Sequence, residues 1–232
     1  MSRRQMTPER MDDPALDPRE HNRALVGLAR INRWTGSAGI LWPTIREEAR
    51  SLGRPLRLLD VATGSGDIPV SLANRARRER ITLDVSGCDV SETAIAAATR
   101  RAKETNVEAA FFRHDVLNVP LPTGYDIVLA SLFLHHLTDD EAVGALKTMA
   151  QAAGRMVVIS DLSRGSFNRG FVWLGCRVLS RSPVVHFDGP VSVKAAFTPA
   201  EATELATRAG LTGATVTPRF PCRWLLTWKK PK

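Results

Sequence analysis

Between residues 56 and 161 the chain alternates short apolar runs with longer helix-forming segments, and this alternation limits the possible architecture more than any other feature. The runs lie at 56–61, 82–88, 108–113, 125–131 and 155–161, and Ala-, Arg- and Glu-rich segments fill about 67–79, 91–105 and 138–153. Short continuous apolar runs are strands covered on both faces, and helices between them imply a parallel sheet with helices on either side, an α/β doubly wound fold. After the fifth run the pattern fails from Ser163 to Phe197, which reads as a lid inserted at 163–197. It recovers in "TPAEATELATRAG", where Thr198, Pro199 and Glu201 start a helix and Gly210 stops it. Two strands at about 211–217 and 223–229 follow with no helix between them, so they pair as a hairpin. Ahead of the alternation, 20–53 carries apolar residues near helical spacing on either side of "TGSAG", the pattern of a two-helix cover. Residues 1–19, with three prolines and many charges, are expected to be a loose tail, leaving 20–232 as one domain.

Hydrophobic residues make up 44% of the 232 and charged ones 24%, enough apolar material for a real core. The 32 Lys and Arg exceed the 24 Asp and Glu by eight, which favours anionic partners in a general way. The excess is spread over clusters from Arg3 and Arg4 to Lys229–Lys232, so no specific nucleic-acid partner is expected. Cys88, Cys176 and Cys222 are far apart and lack metal-ligand spacing; neither a disulfide framework nor a metal site is indicated, and a reducing, cytoplasmic setting fits. The polar N-terminus has no signal-peptide pattern. The longest suspicious apolar stretch, "FVWLGCRVL" at 171–179, is broken by Arg177 and too short to span a bilayer, though it can touch one. Monomer and homodimer are equally compatible with the sequence.

The first strand-to-helix turn is where an open parallel sheet meets its ligand, and here it reads "LLDVATGSGDIP" over residues 58–69. A phosphate-binding loop is excluded, because no lysine and hydroxyl residue follow the second glycine. A dinucleotide fingerprint fails as well, since Pro69 stands where its third glycine belongs. Asp67 puts a negative charge where a pyrophosphate would sit, so a cationic or zwitterionic ligand suits the turn better.

At these residues, Asp60-Val61-Ala62-Thr63-Gly64-Ser65-Gly66, the chain resembles the class I S-adenosylmethionine-dependent methyltransferases. Ala62 replaces their first glycine, a substitution shared with the ubiquinone and menaquinone methyltransferase branch, as is the trailing acid Asp67. The resemblance covers about 54–161 and the terminal hairpin. It implies a Rossmann-like seven-stranded sheet in the order 3-2-1-4-5-7-6, with the last strand antiparallel. It also implies S-adenosylmethionine as cofactor, held by Asp60, Ala62, Gly64, Gly66 and Asp67 near the methionine end and by Asp89 on the ribose hydroxyls beside Val90. Asp115 would accept the adenine amino group, the backbone of Val116 a ring contact, and Ser131 would face the cofactor from the fourth strand.

Methyl transfer needs a nucleophile held close to the sulfonium methyl in a dry pocket. "SLFLHHLTDD", residues 131–140, follows the fourth strand and offers His135 and His136 as bases for a phenolic or enolic proton. Adjacent residues rarely face the same way, so only one of them is expected to reach the acceptor, with His135 preferred. His186, in the lid, is a second candidate. The lid's apolar side chains suggest a hydrophobic acceptor pocket or a helix packed on the N-terminal pair. The stretches "MDDPALDPREHNRAL", "RINRWTGSA", "SLFLHHL", "SRSPVVHFDGP" and "RFPCRWLLTW" are similar to bacterial methyltransferases associated with type III polyketide synthases, which implies an aromatic or phenolic acceptor methylated on oxygen or carbon. RNA or protein methylation and non-catalytic cofactor binding stand as alternatives.

Overall fold

The computed structural model describes residues 3–13 and 15–231. Seven strands, β1 (Leu56–Val61), β2 (Leu83–Asp89), β3 (Ala109–Arg113), β4 (Tyr125–Ser131), β5 (Ala153–Leu162), β6 (Thr215–Arg219) and β7 (Arg223–Lys229), form one sheet in the order β3-β2-β1-β4-β5-β7-β6. Strands β1 to β5 pair in parallel; β7 runs antiparallel to both β5 and β6. This is the order and direction expected from the resemblance.

The helices between the strands start where local chemistry satisfies their first free N–H groups. In α4 (Glu92–Glu104), Ser91 caps Ala94 N. In α5 (Asp139–Ala152), Thr138 and Glu141 form a reciprocal capping box. The same box, Thr198 with Glu201, opens α8 (Pro199–Arg208), with Pro199 at a position that needs no donor. One face of the sheet is packed by α2 (Ser37–Leu52) and α3 (Asp67–Arg78), the other by α5 and α8. The central strands β1 and β4 are therefore dry on both sides, as Leu58, Leu59, Val128 and Leu129 show.

Two regions depart from the sequence expectations. The first is the tail: α1 (Pro18–Trp34) begins inside it, capped by Asp17, and residues 4–12 are docked rather than loose. Arg4 donates to the carbonyls of Ala195 and Leu137, and the amides of Arg10 and Met11 donate to Asp188. Met1, Ser2 and Pro14 of that expected tail lie outside the described residues. The second is 163–197, expected as a lid without regular structure, which forms a helical hairpin, α6 (Ser166–Leu179) and α7 (Pro183–Ala195). Of its apolar residues, Val172 and Cys176 pack against Ala24, Leu28 and Ile31 of α1, whereas Phe167, Phe171, Trp173, Leu174 and Val178 face outward. The packed-helix alternative thus describes the inner face, and those five do not line a pocket. Among the described residues no helix is long and apolar enough to cross a membrane.

Candidate active site

The β1–α3 turn is built on left-handed backbone at Ala62, Gly64 and Gly66, with φ of 53°, 54° and 68°. A Cβ on Gly66 would come within 2.9 Å of the Ala98 side chain, whereas one on Gly64 would meet only Leu25, at 4.0 Å. Gly66 is thus fixed by helix packing, and Gly64 by backbone conformation beside open space. We expect Gly66→Ala to cost about 3 kcal/mol, combining left-handed strain with the clash, to be read from denaturant melts; a change below about 1 kcal/mol would show that the turn can relax.

Three acids converge on this turn. Asp60 is next to last in β1; its Oδ2 accepts from Thr63 Oγ1 at 2.6 Å, while its buried Oδ1 has no partner. Burial, reinforced by Asp67 and Asp89, pushes its carboxyl up to about 8 despite the Thr63 hydrogen bond. Asp67 takes Asn32 Nδ2 at 3.0 Å, tying α1 to the turn, and burial raises it although Arg101 pulls the other way. Asp89 ends β2 and accepts the amides of Gly64 and Ser91, each at 2.9 Å. Burial raises this carboxyl too, against those hydrogen bonds and the neighbouring His21. Val90 beside it is an exposed apolar side chain.

The other expected cofactor residues are placed unevenly. Ser131 ends β4 in register with Ser160 on β5, and both hydroxyls are buried without partners. Asp115 instead braces its own turn, accepting from Leu117 N at 3.0 Å and Asn118 Nδ2 at 2.8 Å; the Asn118 bond holds its carboxyl below the ordinary range. Val116 is buried next to it.

His135 and His136 sit in a 3-10 turn over Leu134–His136, which brings their rings to a centroid separation of 4.3 Å. Contrary to the expectation for neighbours, both face the docked N-terminal segment, because the tight turn directs them together. His135 is buried, its Nδ1 2.6 Å from Asp161 Oδ1 and its backbone amide 3.2 Å from Oδ2. Its Nε2 looks toward Glu9 Oε1 at 3.7 Å. Although burial opposes the shift, His135 and further hydrogen bonds hold Asp161 below its usual range. His136 pairs with Asp12 at 3.0 Å; burial disfavours its charge, but Asp12 and Glu9 outweigh that and push it up to about 9. Glu9, His135 and His136 bring their ligand atoms within 4.8 Å of one another. His136 is held by Asp12 and Glu9 by Ser192 Oγ, however, so the group is arranged as a hydrogen-bonded strap. His186 is not part of it: its Nε2 lies 2.8 Å from the Ser180 carbonyl and tightens the α6–α7 hairpin.

The sequence reading missed Asp161, Asn32 and Arg223. Arg223, at the start of β7, is buried between Asp161 and Asp67 and donates to Asn32 Oδ1 at 3.1 Å. Burial brings it down to about 10 against those two acids, and its Nη1 has no partner. An acid closing one apolar strand and a base opening another were the available signals.

The strand order β3-β2-β1-β4-β5-β7-β6, with β7 antiparallel to its neighbours, is the fold of the class I S-adenosylmethionine-dependent methyltransferases, and unpaired polar atoms lie at the carboxyl ends of β1, β4 and β5 beside the glycine turn. Residues 58–154 match the family described as a methyltransferase domain. Demethylmenaquinone methyltransferase of Thermus thermophilus is 34% identical over 107 residues, 45% of this chain and 47% of that protein. The chain spans less than half the length of the curated relatives it matches. Among solved structures, magnesium protoporphyrin IX methyltransferase from Synechocystis with bound S-adenosylhomocysteine aligns over 96% of this chain and 92% of that one, with TM-score 0.60 and 17% identity. An O-methyltransferase from neocarzinostatin biosynthesis, holding S-adenosylhomocysteine and 1,4-dihydroxy-2-naphthoic acid, aligns over 75% of this chain and 48% of that one, with TM-score 0.53 and 23% identity.

Proposed function

We propose that the chain transfers a methyl group from S-adenosylmethionine to an oxygen, or an activated carbon, of a hydrophobic aromatic small molecule. The observation that carries the cofactor half is the trio Asp60, Asp67 and Asp89: three carboxyls around one turn, Asp60 buried and the other two half-buried, all displaced upward, with Asp60 Oδ1 unpaired. Ionising a buried carboxyl beside two other acids is costly, and a ligand carrying an ammonium and a sulfonium relieves that cost. When bound, the cofactor supplies an electrophilic methyl group. Asp89 would hold the ribose hydroxyls, Asp60 the ammonium side, and Ser131 the space between β1 and β4. Asp115 contributes less, since its carboxylate already braces its own turn.

For the acceptor, His135 is the base this reading assigns. With Nδ1–H fixed on Asp161, Nε2 carries the free lone pair and can take a phenolic proton. An acceptor hydroxyl would occupy the place beside Nε2 that Glu9 Oε1 now faces. The dihydroxynaphthoic acid bound by the neocarzinostatin enzyme and the quinone-related name of the Thermus relative support an aromatic acceptor.

Incubating the protein with methyl-labelled S-adenosylmethionine and a host extract tests this reading. Label in the organic-soluble fraction, absent with the Asp89→Ala variant, is expected; label in RNA or protein would overturn the acceptor class. The ionisation of Asp60 gives a second test. Its carboxyl is mostly protonated at neutral pH, so cofactor binding should release close to one proton near pH 7 and none above pH 9, with affinity weakening by up to about tenfold per unit below pH 8. The same raised value stabilises the cofactor-free fold below the unfolded carboxyl range, and that contribution is lost as pH rises through about 8. Calorimetry in buffers of different ionisation enthalpy reads the proton count; no release near pH 7, or unchanged release in Asp60→Asn, would refute the role.

A further inference from the structure

Helix α6 is apolar on two opposite faces, and the fold uses only one of them. Its inner face, Val172 and Cys176, lies against α1 and α7. Its outer face presents Phe167, Phe171, Leu174 and Val178, spaced i, i+4, i+7 and i+11, a single stripe running about 17 Å along the helix. Phe167 is 79% and Val178 72% exposed. The stripe continues onto the β6–β7 turn, where Phe220, 82% exposed, meets the Phe171 ring at 6.2 Å. A contiguous apolar patch of this kind marks a contact with something apolar.

The charges around it say what that contact is. Arg169, Arg177, Arg181 and Arg219 are exposed on and beside α6 and the turn. Arg177 lies over the Trp173 ring at 4.2 Å, and Arg30 of α1 reaches the Leu179 carbonyl at the helix end. Between Asp161 and Asp188 the sequence holds no acidic residue. We infer that α6 and the Phe220 turn form a docking surface for an anionic lipid bilayer, with the helix lying in the interface plane, its stripe among the acyl chains and the arginines among the headgroup phosphates. Aromatic and aliphatic residues framed by arginine are the composition of interfacial helices. A second copy of the chain fits less well: a two-fold contact through this face would gather the arginines at its edges, Arg177 and Arg219, from both copies, with no acid between Asp161 and Asp188 to offset them. The inference stands apart from the catalytic reading, because none of these side chains belongs to the site above.

Flotation of the purified full chain with phosphatidylcholine vesicles, with and without phosphatidylglycerol, tests it. We expect association with the phosphatidylglycerol vesicles at least about tenfold stronger than with phosphatidylcholine alone, and weakened by salt. The double variant Phe167→Ser, Leu174→Ser should lose about a hundredfold in partitioning with an unchanged melting temperature, because both side chains are exposed. Arg169→Glu with Arg177→Glu should abolish the preference for anionic lipid. Wild-type protein that stays off both kinds of vesicle would overturn the inference, as would equal binding by the variants. So would light scattering that shows a dimer dissociated by the serine substitutions.

Discussion

Asp89→Ala is expected to lower affinity for S-adenosylmethionine by at least about a hundredfold, to the edge of detection in calorimetry, with the fold retained. The carboxylate ends β2 beside the turn and already takes Gly64 N and Ser91 N at 2.9 Å. In the proposed reading its remaining lone pairs would accept from the ribose diol, and each charge-assisted hydrogen bond removed costs about 1.5–3 kcal/mol. The variant also frees the Gly64 amide, so the turn loses its anchor to β2 as well as its ligand contact. Asp89→Asn separates the two effects. It keeps one acceptor oxygen for the turn but loses the charge, and should fall between wild type and alanine. Wild-type affinity in both variants would remove Asp89 from the site and, with it, the strongest link between this fold and its cofactor.

The sheet was legible because its central strands are dry apolar runs and because α5 and α8 open on caps that the sequence spells out, Thr138 with Glu141 and Thr198 with Glu201. The turn acids were legible for the same reason: they interrupt apolar runs at their ends. What escaped was long-range or aperiodic. Residues 4–12 look like a loose tail because their docking rests on polar contacts, Arg4 to the carbonyls of Leu137 and Ala195, that leave no local pattern. Helix α6 hides its period by being apolar on both faces, and α7 carries Gly189 and Pro190 inside the helix. His135 and His136 were expected to diverge, as neighbours do in a strand or a full helix, but a 3-10 turn sets both rings toward Glu9. Asp161, buried at the end of β5, could be seen as His135's partner only once β4 and β5 lay side by side.

That partnership carries the second large effect. His135→Ala should reduce kcat by about 10²–10⁴-fold, the range of general-base catalysis, with cofactor affinity nearly unchanged. Asp161 touches no reacting atom in this scheme; it fixes the His135 tautomer through the 2.6 Å contact at Nδ1 and the orientation through the backbone amide at 3.2 Å. An asparagine there can donate its amide to Nδ1, which moves the ring proton to Nε2 and removes the lone pair the acceptor needs. Asp161→Asn should therefore approach the loss seen in His135→Ala while leaving KM for the cofactor in place. The pH profile separates this from a simple packing defect. Without a working base the acceptor must ionise by itself, so both variants should gain about tenfold in rate per pH unit up to the phenol range near 10, where wild type stays flat. If Asp161→Asn instead lost activity in parallel with wild type at every pH, the carboxylate would be a structural tie between β5 and the 3-10 turn, and the proton would leave the acceptor by another route.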